Sequence, residues 1–577
     1  MLGIYRIGFA AGILSLLVFA AGSFGRLDTF SLMFILFTVL AALFWSFRHH
    51  VFTKGFSQSW DWRFVFPPIF TLIMLPIVLL PPIARDELIV HLAIPKLYLQ
   101  AGRIHEIASM GFSYTPMNID LLYLIPMAFG YDILPKLIHF GFALLTGFTI
   151  YFYLAEKIDK NYALLGLFLF LTTPIVMQLS TTAYIDLGLT FYSTLGLIGI
   201  LKWREKFELT WLVLSAISTG FAMGSKYSAF ILLAIFSFTI MWSFSRATKD
   251  QFKALRFGLL YMLIALLVFS PWLIRNYLWT HNPIYPLMNG LFTATGSLQS
   301  AIQVSAMPPL RMRSLLYGEE LWYILLIPFR LFWEGQDGSA RFFDGVLNPL
   351  FLVFIPIAFI HIKNRDIKYL AIFSAVFFFV AFFTIDMVTR YVLPILPAVV
   401  IFTVYGFKNA FEMKRLRSWS VALLVALFIV NGWYLTKLYN RYRPMDYLTG
   451  GETKEQYLSR RLPDYSTIAF ANSTLPADAR VMSFFGGDRL YYWNRNNVFG
   501  ERLGNDLIRF VQGARNEQEL RGRFRELGIT HLFINDPLFM KFSKDNFDEK
   551  QLVMLERFFK VCALELYGKN GYSLYRL

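Results

Sequence analysis

Residues 81–100 read PPIARDELIVHLAIPKLYLQ, and they follow directly on a long apolar run at 64–83. Asp86 and Glu87 therefore emerge where a hydrocarbon-spanning segment ends. Two adjacent carboxylates at the edge of a bilayer are expensive to place there, and they mark a functional site unless a structural role accounts for them. One such role is the start of a helix, because acidic residues offset the dipole of the first turn.

The residues after Asp86 are unusual for a simple connection. Glu87 and His91 are four positions apart and would share one helix face. Pro95 removes a backbone donor and bends or ends the helix. Lys96 follows within reach of an anionic group. The segment therefore predicts either a catalytic or ligand-binding site or, more simply, a capped helix with a local Glu–His pair.

Composition places this segment in a membrane protein. Of the 577 residues, 56% are hydrophobic and 16% charged, against about 25% charged in soluble proteins. Apolar runs of the length needed to cross a bilayer recur along most of the chain. The net charge of +16 comes from basic residues between these runs, which is typical of topology signals and not of a nucleic-acid surface. A single cysteine, Cys562, excludes a disulfide framework and a thiol metal cluster.

We predict an all-α polytopic protein with about 13 transmembrane helices and a retained first segment, although 4–21 also resembles a signal peptide. Basic residues cluster in connections on one side of the membrane, which predicts that the segment with Asp86 lies on the outer side. The candidate spans are 4–23, 29–47, 64–83, 132–154, 163–179, 185–203, 209–223, 228–244, 257–278, 346–362, 368–385, 391–407 and 419–436.

Two domains follow from the change in composition near residue 440. Residues 1–439 form the multi-span domain, with outer loops at about 84–131 and 279–345. The second loop is rich in aromatic residues and predicts a helix that lies in the membrane interface. About a quarter of the residues in 440–577 are charged, as in soluble proteins. Predicted strands at 480–485 and 530–534, with a helix at 516–527, indicate a small extracytoplasmic α/β domain.

Isolated charges collect at the predicted outer ends of the spans. For each one alone, snorkelling to the interface or a local ion pair is a sufficient explanation. Together they suggest a site for a lipid-linked phosphate, where cations hold the phosphate and a carboxylate deprotonates an incoming hydroxyl. No Walker, Rossmann or His-Glu-x-x-His motif occurs in a supporting context. The residues are Asp86, Glu87, Asp186, Lys226, Arg275, Asp386 and Arg390.

Six motifs in order resemble the bacterial members of the protein-mannosyltransferase and aminoarabinose-transferase superfamily, which are C-type (GT-C) integral-membrane glycosyltransferases. The resemblance extends over nearly the whole chain. Two spans precede the first motif, where many family members have one. The motifs are DELIVHLAIPKLY (86–98), AYIDL (183–187), GSKY (224–227), SPWLIRN (270–276), HNPIYP (281–286) and RYVLPILP (390–397).

The resemblance implies transfer of a sugar from a polyprenyl-phosphate carrier to an acceptor hydroxyl, usually with inversion, at the outer face of the cytoplasmic membrane. It implies Asp86 as the base, with Glu87 beside it. In related folds the acid that matches Asp186 helps to bind a divalent metal ion, and some members work without one. His91 is the second candidate metal ligand, and Glu87 is the alternative co-ligand.

Four basic residues are the candidate ligands of the donor phosphate, and the acceptor is a lipid, a glycan or a protein. Two other activities stay open: a flippase or transporter of lipid-linked sugars, and an outer-face glycan polymerase or ligase. Transporters place ionisable residues near the bilayer midplane, whereas these charges lie at span ends on one side. The four basic residues are Lys96, Lys226, Arg275 and Arg390.

Overall fold

A computed structural model describes residues 1–53, 65–292, 309–360, 365–384, 387–499 and 503–577. By its internal contacts the chain divides into two compact units. The first, the helical unit, contains residues 1–79, 98–106 and 114–443. The second, the C-terminal unit, contains residues 444–577 together with two short earlier pieces, residues 80–97 and 107–113.

Helices make up almost all of the regular structure in the helical unit. Short 3₁₀ turns at Tyr227–Ala229, Ala340–Phe342 and Thr389–Ile395 interrupt them, and a further 3₁₀ turn, Gly111–Tyr114, is divided between the two units. The α-helices, in chain order and with α4 shared between the units, are α1 (Leu2–Ser23), α2 (Thr29–Thr53), α3 (Phe66–Val78), α4 (Ala93–Ala101), α5 (Asn118–Ala128), α6 (Leu134–Lys157), α7 (Lys160–Thr172), α8 (Pro174–Ser180), α9 (Asp186–Lys206), α10 (Leu209–Met223), α11 (Phe230–Thr248), α12 (Gln251–Thr280), α13 (Asn289–Phe292), α14 (Pro309–Tyr317), α15 (Leu321–Leu325), α16 (Ile327–Arg330), α17 (Phe351–Ala358), α18 (Arg365–Thr384), α19 (Leu396–Glu412) and α20 (Arg417–Tyr442).

Within the described ranges, seven helices are long and apolar enough to cross a membrane, or eight if α7 and α8 count as one bent span. The many apolar helices predicted from the sequence are confirmed, whereas the count of about thirteen is not. α7 and α8 meet at 63°, because Thr173 before Pro174 is extended and cannot continue the helix.

α9 shows why hydropathy alone miscounts spans. It has 21 residues and is buried over most of its length, yet it does not pass the hydropathy test for a span. Its small residues serve packing: a Cβ on Gly199 would lie 2.7 Å from the Cβ of Ser215 on α10. Close approach through Gly, Ser and Thr is how helices associate inside membranes, where lipid offers no hydrophobic drive.

A five-stranded sheet organises the C-terminal unit, in the order β2-β1-β3-β5-β4. The strands are β1 (Arg480–Phe484), β2 (Asn496–Val498), β3 (His531–Asn535), β4 (Leu564–Lys569) and β5 (Tyr572–Arg576). β1 is parallel to β2 and β3, and β5 is antiparallel to β3 and β4. The helices are α21 (Pro444–Leu448), α22 (Lys454–Arg461), α23 (Tyr465–Thr474), α24 (Leu503–Gly513), α25 (Glu517–Glu526), α26 (Asp536–Asn546) and α27 (Glu549–Arg557).

The predicted strands near 480 and 530 and the helix near 516 correspond to β1, β3 and α25. The hairpin of β4 and β5 was missed, although Asn570-Gly571 is a strong signal for a two-residue turn. Both residues have positive φ, 53° and 78°, as that turn type requires. The core of the sheet packs Phe484 and Leu532 against Phe524 of α25.

Candidate functional site

One acid–base pair in the helical unit joins two of the predicted site residues. Lys226 Nζ lies 2.9 Å from Asp186 Oδ1, and only 1% of the Asp186 side chain is exposed. The charge of Arg390 also acts on this carboxylate. The structure thus brings Asp186, Lys226 and Arg390 together, as a set with more positive than negative charge.

Each member comes from the end of an element. Asp186 is the first residue of α9, where a carboxylate also offsets the helix dipole. Lys226 is extended between α10 and the turn Tyr227–Ala229. Arg390 lies in the 3₁₀ stretch Thr389–Ile395 before α19. Side chains at the ends of different elements can approach one another, and here Lys226 and Arg390 both act on the Asp186 carboxylate.

His139 on α6, which the sequence analysis did not single out, fixes the start of α9. Its Nδ1 donates towards the carbonyls of Leu179 (3.0 Å) and Thr182 (2.8 Å), and its Nε2 accepts from the backbone N–H of Leu187 (3.0 Å). This arrangement sets the tautomer and anchors the residue after Asp186. The sequence signal for it is a histidine within an apolar helix, and the structure shows that this histidine is buried.

Aromatic rings line the two cations. Lys226 Nζ lies 4.1 Å from the ring centre of Tyr391, and the Arg390 guanidinium carbon lies 5.2 Å from that of Tyr184. Cation–π contacts of this kind help to hold a charge in place. The walls of the cluster are therefore apolar, which strengthens its electrostatic attraction for an anion.

Arg275 on α12 forms a second buried cationic centre. Its Nη2 donates to the carbonyl of Tyr114 (2.6 Å), and its guanidinium lies between the rings of Trp272 (4.5 Å) and Trp279 (4.7 Å). Its Nη1 is buried without a hydrogen-bond partner among the residues that the structure covers. Buried donors are nearly always satisfied, so this atom is an exception that a bound anion would remove.

The two cationic centres are connected through Tyr227, the neighbour of Lys226. Asn276 Nδ2 donates to Tyr227 Oη (2.8 Å), and Asn276 Oδ1 accepts from Arg275 Nε (3.0 Å). Near them, Trp272 Nε1 donates to Asn118 Oδ1 (2.8 Å). The motifs GSKY (224–227) and SPWLIRN (270–276) therefore meet.

The first-loop motif lies in the C-terminal unit and separates the roles of its two carboxylates. Glu87 is buried, and its Oε2 accepts the backbone N–H groups of Ile83 (3.1 Å) and Ala84 (2.8 Å). It thus caps the turn that it starts, a π-helical segment Glu87–His91 in place of the expected α-helix. Asp86 precedes this turn and is half-exposed. Of the two acidic residues, Asp86 is the more exposed.

Lys96 connects the first-loop motif to the rest of the C-terminal unit. Its ammonium donates to the carbonyls of Tyr491 (2.8 Å) and Trp493 (2.7 Å) and to Asn494 Oδ1 (3.1 Å). Burial lowers the pKa of Lys96 to about 8, while three oxygen acceptors favour the charged form. A phosphate at Lys96 would have to replace one of these acceptors.

Asp186 is a poor fit for a metal ion in this arrangement. Its carboxylate binds the ammonium of Lys226, and a divalent cation there would meet two positive charges. The described part of the chain contains no group of three or more His, Cys, Asp and Glu residues able to hold a metal. His91 belongs to the C-terminal unit and is buried. We derive no step through a metal, and metal dependence at Asp186 and His91 stays a prediction. Asp386 lies outside the described residues.

Comparison with known proteins gives the family resemblance and the fold. Residues 135–274, which contain Asp186 and Lys226, match the dolichyl-phosphate-mannose-protein mannosyltransferase family model. No curated protein matches the chain by sequence. ArnT from Cupriavidus metallidurans in the apo state is 10% identical with a TM-score of 0.55, covering 89% of this chain and 97% of that one.

The structure of the same ArnT bound to undecaprenyl phosphate is 12% identical, with a TM-score of 0.54 and the same coverage. An oligosaccharyltransferase from Archaeoglobus fulgidus is 14% identical, with a TM-score of 0.44 over 82% of this chain and 69% of that one. The resemblance to the mannosyltransferase and aminoarabinose-transferase superfamily predicted by the motifs is confirmed, and the chain has the fold of a C-type membrane glycosyltransferase.

Proposed function

We propose that this protein transfers a sugar from a polyprenyl-phosphate-linked donor to an acceptor hydroxyl, with inversion, at the outer face of the cytoplasmic membrane. The observation that carries the proposal is the cationic cluster of Lys226 and Arg390 around Asp186, in a chain with the fold of ArnT. A related structure of that fold holds undecaprenyl phosphate. A lipid phosphate is the ligand class that suits partly buried cations at the ends of membrane helices.

The cations would act mainly as the donor bond breaks. In a sugar bound through phosphate, the bond from the anomeric carbon to the phosphate oxygen breaks, and its electron pair leaves with the polyprenyl phosphate. Lys226, Arg390 and the unpartnered Nη1 of Arg275 offer positive charge and donors for this growing anion. Preorganised charge in a site that excludes water is worth more than the same charge in solution.

Asp186 has a supporting part in this scheme. Without it, Lys226 and Arg390 would lie near each other with no counter-charge before the donor binds. Removing one member of a buried ion pair leaves the other uncompensated, which costs about 3–5 kcal/mol. We therefore assign Asp186 the role of holding Lys226 in position, and no step of the proposed reaction needs it to bind a metal.

Asp86 is the proposed base. The acceptor hydroxyl attacks the anomeric carbon from the side opposite the phosphate, its oxygen forms the new bond, and its proton passes to the Asp86 carboxylate. A positioned base contributes about 10²–10⁴-fold to such a step. Glu87 is already committed to two backbone N–H groups, so we assign it the support of the turn that presents Asp86.

The decisive experiment combines cells and purified protein. Cells that lack the protein should lose one sugar from a surface glycoconjugate, measured by mass spectrometry, and should accumulate a polyprenyl-phosphate sugar. Purified protein added to the lipids of those cells should release free polyprenyl phosphate and restore the sugar to the acceptor. Accumulated donor that purified protein does not consume would indicate a flippase. Transfer of a whole oligosaccharide would indicate a polymerase or ligase.

A further inference from the structure

The sheet of the C-terminal unit carries a cavity of about 740 Å³ that the proposed reaction does not use. Strand register defines its floor. Ile534 on β3 pairs with Ser573 on β5, and Tyr575 on β5 pairs with Glu565 on β4. Residues two apart on a strand point to the same side, so these four residues share one face of the sheet. All four line the cavity.

Two helices cover this face and leave a gap between them. On α26 the lining residues Phe539 and Ser543 fall at helical spacing from Asp536, and on α27 Leu552 and Leu555 repeat the pattern. The walls are therefore one stripe of each helix, mainly apolar. A space of this size with apolar walls and a few polar groups is typical of a small-molecule site.

The polar groups at one end are acidic. Asp536 Oδ2 accepts a hydrogen bond from Ser573 Oγ (2.7 Å). Burial, and then the charge of Glu565, raise the pKa of Asp536. Two carboxylates that repel one another are stabilised when a cation binds between them. Two lysines, Lys544 and Lys560, also line the cavity. Lys560 pairs with Glu556 at 2.6 Å, and within the described residues neither lysine forms an ion pair with Asp536.

A second observation is independent of the acidic pair. Ser543 lines the cavity and is 5% exposed, and its Oγ has no hydrogen-bond partner within the described ranges. Buried hydroxyls without a partner are rare, because the hydrogen bond to water is lost and not replaced. It lies seven residues, about 10 Å of helix, from Asp536. A ligand of moderate length would contact both.

We propose that this cavity binds an organic amine with an apolar body, the ammonium group at Asp536 and Glu565 and the body between α26 and α27. Phe539, Phe559 and Tyr575 supply aromatic surface for that body, their rings lying 5.0–5.6 Å apart in successive pairs. An anionic lipid phosphate is repelled by the same carboxylates, so the ligand differs in charge from the proposed glycosyl donor. The inference does not depend on the proposed reaction.

The probe that tests it is 4-fluorophenethylamine, with 4-fluorophenethyl alcohol as the uncharged match. Binding to the full chain in lipid nanodiscs is followed by ¹⁹F line broadening, after subtraction of empty nanodiscs. Hydrogen bonds to a charged group are stronger than those to a neutral one, so we expect the amine to bind about tenfold or more tightly than the alcohol. Equal binding of the two compounds would overturn the proposal.

Variants on one helix locate the site. Asp536→Asn should abolish the preference for the amine, whereas Asp545→Asn, an exposed carboxylate at the far end of α26, should leave it unchanged. Leu552→Trp should fill the cavity and weaken the binding of both compounds. An unchanged preference in Asp536→Asn, in protein whose thermal unfolding matches the wild type, would refute the assignment. So would the same loss in Asp545→Asn.

Discussion

The side-chain amide of Asn118 occupies the space that a side chain at Gly224 would need. A Cβ on Gly224 would lie 2.0 Å from Asn118 Nδ2, and the backbone N–H of Asn118 donates to the Gly224 carbonyl at 2.8 Å. The start of α5 is therefore pressed against the turn that presents Lys226. This contact explains why position 224 of the GSKY motif is a glycine. The position of the Lys226 ammonium depends on the same contact.

Gly224→Ala should destabilise the protein by about 1–3 kcal/mol, the usual cost of overpacking, and should lower donor affinity by displacing Lys226. Thermal unfolding in detergent and donor KM measure the two effects. Gly141→Ala is the matched control, since its Cβ would meet nothing within 4 Å and it lies within α6. A Gly224→Ala protein as stable and as active as the control would contradict this account.

Alanine at Lys226, Arg275 or Arg390 should raise the donor KM or lower kcat/KM, because each removes a charge-assisted contact with the phosphate. Arg256→Ala, an exposed cation on the opposite end of α12 from Arg275, should have no effect. Kinetics with varied donor at saturating acceptor provide the measurement. If all three variants kept wild-type donor kinetics, the phosphate would bind elsewhere.

Asp186→Asn tests the supporting role of that carboxylate. The variant keeps the shape but leaves Lys226 without its counter-charge, so we expect both lower stability and weaker donor binding. Lys226→Met with Asp186→Asn should recover much of the stability without recovering activity, since the uncompensated charge is gone. The double-mutant cycle is read from thermal unfolding. If the stability losses of Asp186→Asn and Lys226→Met simply added in the double variant, the pair would not be coupled.

Sequence reasoning was most successful where the signal was local. Long apolar helices such as α6 and the paired motifs at Lys226 and Arg275 were visible as patterns. The contacts of Glu87 and Lys96 were not visible: Glu87 caps its own turn, and Lys96 binds carbonyls about 395 residues away. Their parts in catalysis and phosphate binding stay predictions. Burial and partner choice are tertiary properties, and charge type alone does not specify them.

Asp86→Asn should lower kcat by about 10²–10⁴-fold with donor affinity little changed, as expected for a group that acts mainly in the transition state. Glu87→Gln should instead act first on stability, because it weakens the cap on Ile83 and Ala84. Thermal unfolding and turnover are measured for both. Normal turnover in Asp86→Asn with none in a folded Glu87→Gln would make Glu87 the base.

Glu319 predicts a pH dependence of stability in the loop before α15. It accepts from Arg313 Nε at 2.7 Å and from Arg330 Nη2 at 3.0 Å. Burial alone would raise the pKa of Glu319. The hydrogen bonds outweigh burial and lower this pKa from 4.5 to about 2. The unfolded chain therefore binds more protons between pH 4.5 and 2, so the stabilisation is complete above pH 4.5 and is lost as the pH falls towards 2.

Glu319→Gln should accordingly be less stable than the wild type at pH 7, and the gap in unfolding temperature should narrow on acidification below pH 4.5. Glu320→Gln, the exposed neighbour, should show neither effect. Unfolding is followed by tryptophan fluorescence in a pH series. A gap that stayed constant from pH 7 to pH 3 would show that Glu319 does not titrate with this dependence.

Cys562 reports the side of the membrane on which the C-terminal unit lies. It is the single cysteine of the chain, it is 3% exposed, and burial raises the pKa of its thiol. A membrane-impermeant maleimide should therefore label intact spheroplasts only after mild denaturant loosens the unit. Labelling that required lysis of the membrane would place the unit on the inner side and reverse the topology.

The first-loop motif is bound to the chain's far end by three separate contacts: Lys96 to the 491–494 segment, the Leu88 carbonyl to the Tyr491 N–H, and the Pro82 carbonyl to the Tyr492 hydroxyl. Two regions some 400 positions apart in the sequence must therefore stay compatible with each other as the protein evolves. A chimaera that exchanges residues 444–577 alone would separate a motif from the surface that shapes it. Functional recombinants between homologues should therefore take residues 80–97 and residues 444–577 from the same parent.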